Sequence, residues 1–387
     1  MSMRKVTCGF IPLTDAAPLI IAHEVGFARE EGLHLSLQKA PSWSTLRERL
    51  AVGTLDAAHM LAPLPIAMSM GLGGGMTVPL MVPSVLSVNG TVIGVSTNLA
   101  ERLAGATLGD PWALGQALVG ASGNKPLRVG VPFPYSTHTE LLQHWTAAVH
   151  DKQPDELQVR TVPPPLMAEA LRCEEIDMFV VGEPWGSLVV ESGVGELILP
   201  GAAIWSFAPE KVLAMRAETI ESDHDLVYRL VRALWGAGRW LANSSNRMIA
   251  SEILSHEDYL GISAEIIERA LRGTLAADLK GRTLSHPALI EFHKGAASFP
   301  WRSQAIWIAR RIAARNGIGI AEADQIARAC FRPDFYRKAL SPLSADLPGA
   351  SEKIEGFLTE RTAVASRDGT LFLGPDNFFD GQIFDFA

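Results

Sequence analysis

Cysteine is scarce in this chain: three residues in 387, Cys8, Cys173 and Cys330, far apart and odd in number. That argues against a disulfide framework, and no Cys-x-x-Cys or Cys/His spacing suggests a metal site. Isolated thiols fit a reducing compartment. Positive charge is not in surplus either. Lysine and arginine number 34 against 42 aspartate and glutamate, a net charge of −8 with no long run of one sign. A general nucleic-acid surface would be basic, and no helix-turn-helix with basic recognition residues is present, so direct nucleic-acid binding is not expected.

An uninterrupted apolar run is lacking too. No side chain from Met60 to Ala100 is charged, yet Pro63, Pro65, Pro79 and Pro83, with Gly71, Gly73 and Gly74, break any single long helix. A membrane span needs about 20 continuous apolar residues, so short buried strands and loops are expected there instead. The start offers no secretory pattern: Arg4 and Lys5 are followed by Pro12 and Asp15, not by an apolar run and a small-residue cleavage site. The expectation is a cytoplasmic chain. Nor is there a nucleophile elbow, a His/Glu zinc spacing, a P-loop or a dinucleotide fingerprint, so no enzyme, metal or cofactor is expected.

What is present is an alternation of short apolar strands and helices. Strands are expected at Lys5–Phe10, His34–Lys39, Ala57–Met60, Val78–Val82, Thr91–Val95, Leu127–Val131, Val159–Val162, Asp177–Val181 and Pro209–Met215. Ala17–Phe27 reads as a helix capped by Thr14 or Asp15, and Ser42 or Ser44 opens another through Leu50. Further helices are expected at Leu64–Ser69, near Trp112–Val119, at Glu140–Val149 and from the prolines at 163–165 to Arg172. After Pro209–Met215 helices dominate: Asp223–Asn243, Asn246–Ser255, Ser263–Arg272, Pro287–Ala297 and Ser303–Arg315. From about residue 328 the chain reads as irregular, its aromatic-acidic end forming a strap over one lobe. The fold class is α/β, two lobes with a cleft between them: residues 1–92 with 213–387 in lobe I, and 93–212 in lobe II. Ligands of parallel sheets sit outside the carboxyl ends of strands, at helix N-termini whose free N–H groups suit small anions.

The strings PLTDAAPLIIA (12–22), APSWSTLRERLAVGTLDAAHMLAPLP (40–65), THTELLQHW (137–145), VPPPLMAEAL (162–171), VGEPW (181–185) and PEKVLAMR (209–216) occur in order along the chain. In them the chain resembles the nitrate- and bicarbonate-binding solute receptors of ABC importers. The resemblance implies a type II periplasmic-binding-protein fold closing on a small inorganic anion. Without a leader, the chain is more similar to the cytoplasmic nitrate/nitrite sensors of assimilation operons (NasS type). That implies a regulator holding an RNA-binding antiterminator protein (NasT type) and releasing it when the anion binds. The alternative is a receptor delivering nitrate or bicarbonate to an importer.

The resemblance also points to residues. Lys211 is the charge partner of the anion; a lysine there goes with nitrate or nitrite, an acidic residue with bicarbonate. His138 stands at a helix start and can donate from its imidazole. Trp43 offers a flat wall and an indole N–H. Thr137 contributes a hydroxyl or backbone donor, and Ser44 a backbone N–H. Thr91 stands near where nitrate-binding relatives carry a glutamine after an Asn-Gly pair. Glu183 is expected to hydrogen-bond the hinge or orient Lys211, and Trp185 to pack the lobe.

Overall fold

The computed structural model describes residues 3–74, 76–122, 126–149 and 157–386. Two sheets organise them. The first has six strands: β1 (Arg4–Phe10), β2 (Leu33–Lys39), β3 (Ala57–Leu61), β4 (Leu80–Asn89), β10 (Pro209–Arg216) and the short β13 (Ile290–Glu291), in the order β13-β4-β10-β3-β1-β2. The second has five: β5 (Thr91–Ser96), β6 (Leu127–Val131), β7 (Leu157–Thr161), β8 (Met178–Gly182) and β9 (Gly195–Pro200), in the order β7-β6-β8-β5-β9. β1 runs parallel to β2 and β3, and β6 parallel to β7 and β8. The two strands that carry the chain between lobes, β5 and β10, are antiparallel to their neighbours. The crossing strands therefore make both sheets mixed, where strand-helix alternation alone implies parallel ones.

The lobe boundaries differ from the expected ones. Thr91 and Val92 belong to the second sheet and Pro209–Val212 to the first. A hairpin of β11 (Thr274–Ala276) and β12 (Thr283–Ser285) also joins the second lobe: Leu275 and Leu284 pack with Val92 and Leu197, and the Leu197 N–H donates to Ala277 O at 2.8 Å. The first crossing turns on Asn89 and Gly90, both with positive φ (61° and 101°). Asparagine tolerates that conformation. Its side chain fixes the hinge, donating to Ser206 O and Ala288 O and accepting from Ala208 N–H.

Four expectations for elements need correction. The helix Ala17–Glu24 stops where Gly26 turns left-handed (φ 102°), and a separate turn of helix, Phe27–Glu30, follows. The expected strand at Val78–Val82 starts at Leu80 and runs on to Asn89. No helix fills Pro287–Ala297: β13 pairs with β4, and the Glu291 carboxylate accepts the N–H groups of Phe292, His293 and Lys294, a local alternative to helical bonding. The chain beyond 328 is not irregular throughout, since Pro333–Leu340 is helical. β9 and the helix Ile320–Cys330 come in addition to the expected elements.

The tail packs on both lobes rather than one. Phe378 is buried against Trp205 (ring centroids 4.9 Å), Trp307 (5.6 Å) and His144 (5.0 Å), while Phe379 meets Trp112. Trp307 lies on the helix Arg302–Asn316, and His144 on the helix Thr137–Val149 of the second lobe. Those two helices are also joined by charge, because buried Glu140 accepts from both Arg311 and Arg315. Among the described residues no helix is long and apolar enough to cross a membrane, and no group of His, Cys, Asp and Glu is placed to hold a metal ion.

Candidate functional site

Six segments bring polar side chains to one buried point between the sheets. After β1 the chain turns through Leu13 into a 3₁₀ turn, Thr14–Ala16, that precedes the first helix. Neither Thr14 nor Asp15 caps that helix by a side-chain hydrogen bond; Asp15 is instead buried, with one carboxylate oxygen 2.8 Å from His59 Nε2 and the other 2.7 Å from Lys211 Nζ. His59 sits mid-way along β3, a strand buried over its whole length. Glu210 and Lys211 are adjacent on β10 and both fully buried. Neighbouring residues of a regular strand point to opposite faces. Here the register of β10 against β4 shifts on both sides of Lys211, a bulge that lets the pair meet, Nζ to Oε1 at 2.6 Å.

The second lobe supplies the facing wall. The Ser136 hydroxyl caps the helix Thr137–Val149, accepting from Thr139 N–H. His138 is thereby set in the first turn, its Nδ1 3.3 Å from Glu210 Oε1 without the alignment of a hydrogen bond. The Thr137 hydroxyl does not face free space: it donates to Pro209 O at 2.7 Å, tying the helix to β10. Thr91 Oγ1 donates to Glu210 Oε2 at 3.1 Å. Gly182, at the end of β8, lies close against the first lobe and the helix of His138. A β-carbon there would stand 3.2 Å from Leu13, 3.6 Å from Asp15 and 3.8 Å from His138.

Trp43 closes one side. Ser42 caps the helix Trp43–Ala51 through Thr45 N–H, which turns the indole inward to 2 % exposure. Lys211 Nζ lies 5.7 Å from the centre of that ring, a cation–π contact, and the His59 ring is 6.0 Å away. Beyond Trp43 a cleft of about 530 Å³ opens between the lobes, lined by Pro12, Ser42, Phe133 and the prolines at 163–165. Ser44 is exposed at its mouth and takes no part in the buried cluster. Glu183 does not orient Lys211: its carboxyl accepts from the backbone and hydroxyl of Ser187, and burial pushes its pKa up to about 7. The Glu183 main chain does serve the hinge, accepting from Thr14 N–H and donating to Gly90 O. Trp185 is half-buried and its indole donates across the lobes to Pro12 O.

Sequence reasoning named Lys211, His138, Trp43, Thr137 and Thr91, and the fold brings all five to one place. It missed Asp15, Glu210 and His59 as members. Glu210 was visible as a charge next to Lys211 in a strand otherwise apolar, and His59 as the lone polar residue of AAHML; Asp15 carried only the signal of a helix cap.

The electrostatics follow from burial. Burial alone would lower Lys211, but Asp15 and Glu210 outweigh it and hold its pKa above the ordinary value. Burial works against the Asp15 carboxylate, yet Lys211 and His59 bring its pKa down to about 2. Burial pushes His138 down to about 4 despite Glu210, and lowers His59 despite Asp15. At neutral pH both imidazoles are uncharged. Among the described residues several polar atoms around this point have no hydrogen-bond partner: the two ring nitrogens of His138, one a donor and one an acceptor in the neutral ring, the Nε1–H donor of Trp43, and Nδ1 of His59, an acceptor because Nε2 carries the proton given to Asp15. An unsatisfied buried polar group costs about 1–3 kcal/mol, so such a convergence suits a small acceptor that supplies the missing bonds.

A family model described as NMT1-like matches residues 2–255. The nitrate import ATP-binding protein NrtC of Synechocystis is 32 % identical over 355 residues, covering 90 % of this chain, while the chain spans 52 % of that longer protein. The nitrate/nitrite binding protein NrtA of Nostoc is 29 % identical over 395 residues, 98 % of this chain and 83 % of the relative. The crystal structure of the periplasmic nitrate-binding protein NrtA from Synechocystis superposes with a TM-score of 0.84 at 27 % identity, covering 99 % of this chain and 96 % of that one. The architecture is thus the periplasmic-binding-protein fold, and the NrtA relatives, matched over most of the length of both chains, are binding proteins, not enzymes.

Proposed function

The chain belongs to the NMT1-like family, and from that premise we propose that it is a receptor whose lobes close on nitrate or nitrite. The observation that carries this reading is the buried convergence of Lys211 with the unpartnered N–H donors of His138 and Trp43 beneath a flat indole wall. A planar oxyanion fits it, since three oxygens in one plane can accept from several directions while the face stacks on the ring. The nitrate-binding relatives support the choice of anion. Thermal denaturation of the purified chain with nitrate, nitrite, bicarbonate or chloride is the test. A ligand at about 100 times its dissociation constant should add about 2.7 kcal/mol. A shift with nitrate or nitrite is expected. No shift with either sinks the reading, and a shift with bicarbonate alone redirects it.

Such a receptor would serve an importer; the 32 % identical relative named a nitrate import ATP-binding protein supports that reading. One observation favours a second reading, an intracellular sensor. The chain resembles about half of an ATP-binding protein, and carries no P-loop of its own. By its name that relative binds ATP, which supports a setting where ATP is present. In that reading the anion-free chain holds an RNA-binding antiterminator protein and lets it go when nitrate binds. An anion shifts such an equilibrium only by its differential affinity for the two states. The expected result is a partner protein with RNA-binding activity that co-purifies with the chain and is eluted by nitrate but not by chloride. Co-purification with importer subunits instead decides for the receptor.

A further inference from the structure

The buried cluster is not electrically matched to an anion. Asp15 and Glu210 both contact Lys211, each of the three is at most 1 % exposed, and with neutral imidazoles their charges sum to −1 − 1 + 1 = −1. Placing a nitrate beside them brings the buried total to −2, with no water to screen it. Two arrangements remove the conflict. Either a carboxylate swings out of the site, or the site gains a proton. The carboxylates are tethered. Asp15 is held by His59 as well as Lys211, and Glu210 by Thr91 as well as Lys211, all within a cluster closed to solvent. The imidazole of His138 is the untethered group, with neither nitrogen bonded and Nδ1 already 3.3 Å from a Glu210 oxygen.

We propose that the site captures its anion together with one proton, placed on His138, so that binding adds no net charge to the buried cluster. This rests on the anion-receptor reading above. The proton comes from solvent as the lobes close, and the resulting imidazolium donates one N–H to Glu210 and the other to the anion. The groups facing His138 are consistent with that role. From β10 come Glu210 and Lys211; from the turn after β1 comes Asp15, backed by His59 of β3. The end of β8 contributes only Gly182, because the Glu183 carboxyl is turned to Ser187. On the helix of His138 itself, Glu140 is committed to Arg311 and Arg315. Burial holds the empty-site imidazole neutral down to about pH 4, so a proton is not already resident at neutral pH.

The sign follows from linkage. The anion raises the affinity of His138 for its proton, so the proton raises the affinity for the anion by the same factor. Between the pKa of the empty site and that of the complex, the dissociation constant should rise about tenfold per pH unit. Nitrate does not titrate in this range, so isothermal titration with nitrate in buffers of different ionisation enthalpy counts protons on the protein alone. At pH 7 about one proton taken up per nitrate is expected. Glu210→Gln removes one buried negative charge and keeps the Asp15–Lys211 pair. Proton uptake should then fall to near zero, and nitrate should bind more tightly than to the unaltered chain at pH 8. Nitrate binding with no proton uptake and a flat pH profile overturns the proposal and leaves the receptor reading standing. No nitrate or nitrite binding anywhere from pH 6 to 8 overturns both. If Glu210→Gln does not fold, the buffer series on the unaltered chain already decides.

Discussion

Lys211→Ala is expected to abolish the response to nitrate and nitrite and to destabilise the chain by about 3–5 kcal/mol at pH 7. Lys211 is fully buried, 2.7 Å from Asp15 and 2.6 Å from Glu210. Removing it leaves two carboxylates without a counter-charge in a site closed to water, and such orphaned charge costs more than the pair itself contributes. The pH dependence gives the diagnosis. In the unaltered chain the Asp15 pKa stands at about 2, below its ordinary 3.8, so its contribution is present above pH 4 and fades as pH falls towards 2. Nearly two units are worth about 2 kcal/mol. His138, depressed to about 4, acts in the same direction: below pH 6.5 the unfolded chain binds its proton first and gains on the folded one. In the variant, folding requires Asp15 or Glu210 to take up a proton. Its stability should therefore increase as pH falls from 8 to 5, the reverse of the parent. Denaturant melts at those two pH values read the difference. A variant within about 1 kcal/mol of the parent at pH 8 shows that Lys211 does not neutralise this cluster.

Phe378→Ala is expected to cost about 3–5 kcal/mol, the ordinary range for truncating a buried phenylalanine. Phe378 is 1 % exposed and its ring stacks on Trp205 and Trp307, with interplanar angles of 26° and 24°. Aromatic pairs of this kind add about 0.5–1.5 kcal/mol each beyond the area they bury. The backbone beside it is anchored as well: Phe379 N–H donates to Ile204 O, and Ser206 N–H to Asn377 O. Because Trp205 precedes the crossing strand β10 and His144 shares a helix with His138, the loss should be felt by both lobes. Equilibrium unfolding followed by tryptophan fluorescence measures it. A cost near 1 kcal/mol or less would mean that the aromatic cluster repacks without the tail.

Much of the architecture is legible locally. The strands at Arg4–Phe10, Leu127–Val131 and Met178–Gly182 carry short, largely buried apolar stretches bounded by glycine, proline or polar turns. The helix His224–Leu241 carries its apolar face at helical spacing, and Asp223 caps it as expected of that residue. Readings failed where the next residue, not the pattern, decides. Gly26 breaks a helix whose composition would continue, and Pro287 with Gly295 (φ 63°) turns an apparent helix into a strand and a 3₁₀ turn. The helix Pro333–Leu340 is only eight residues long and lies in a stretch rich in turn residues.

By itself the sequence determined the alternation of strands and helices, and with it the two-lobed α/β class. The resemblance of its motifs to nitrate- and bicarbonate-binding receptors, rather than periodicity, marked Lys211, His138 and Trp43 as a set. The charge of the site was decided by tertiary structure alone. Strand alternation places Glu210 and Lys211 on opposite faces, and only the bulge in β10 brings them together. Asp15 has the position of a helix cap, and only the closure of β1 beside β3 points it at His59 and Lys211. Periodicity reports which face of an element is buried, because burial repeats with the backbone. It carries no record of which charges meet across elements far apart in sequence, and in this protein those meetings leave a buried lysine with two carboxylates instead of one.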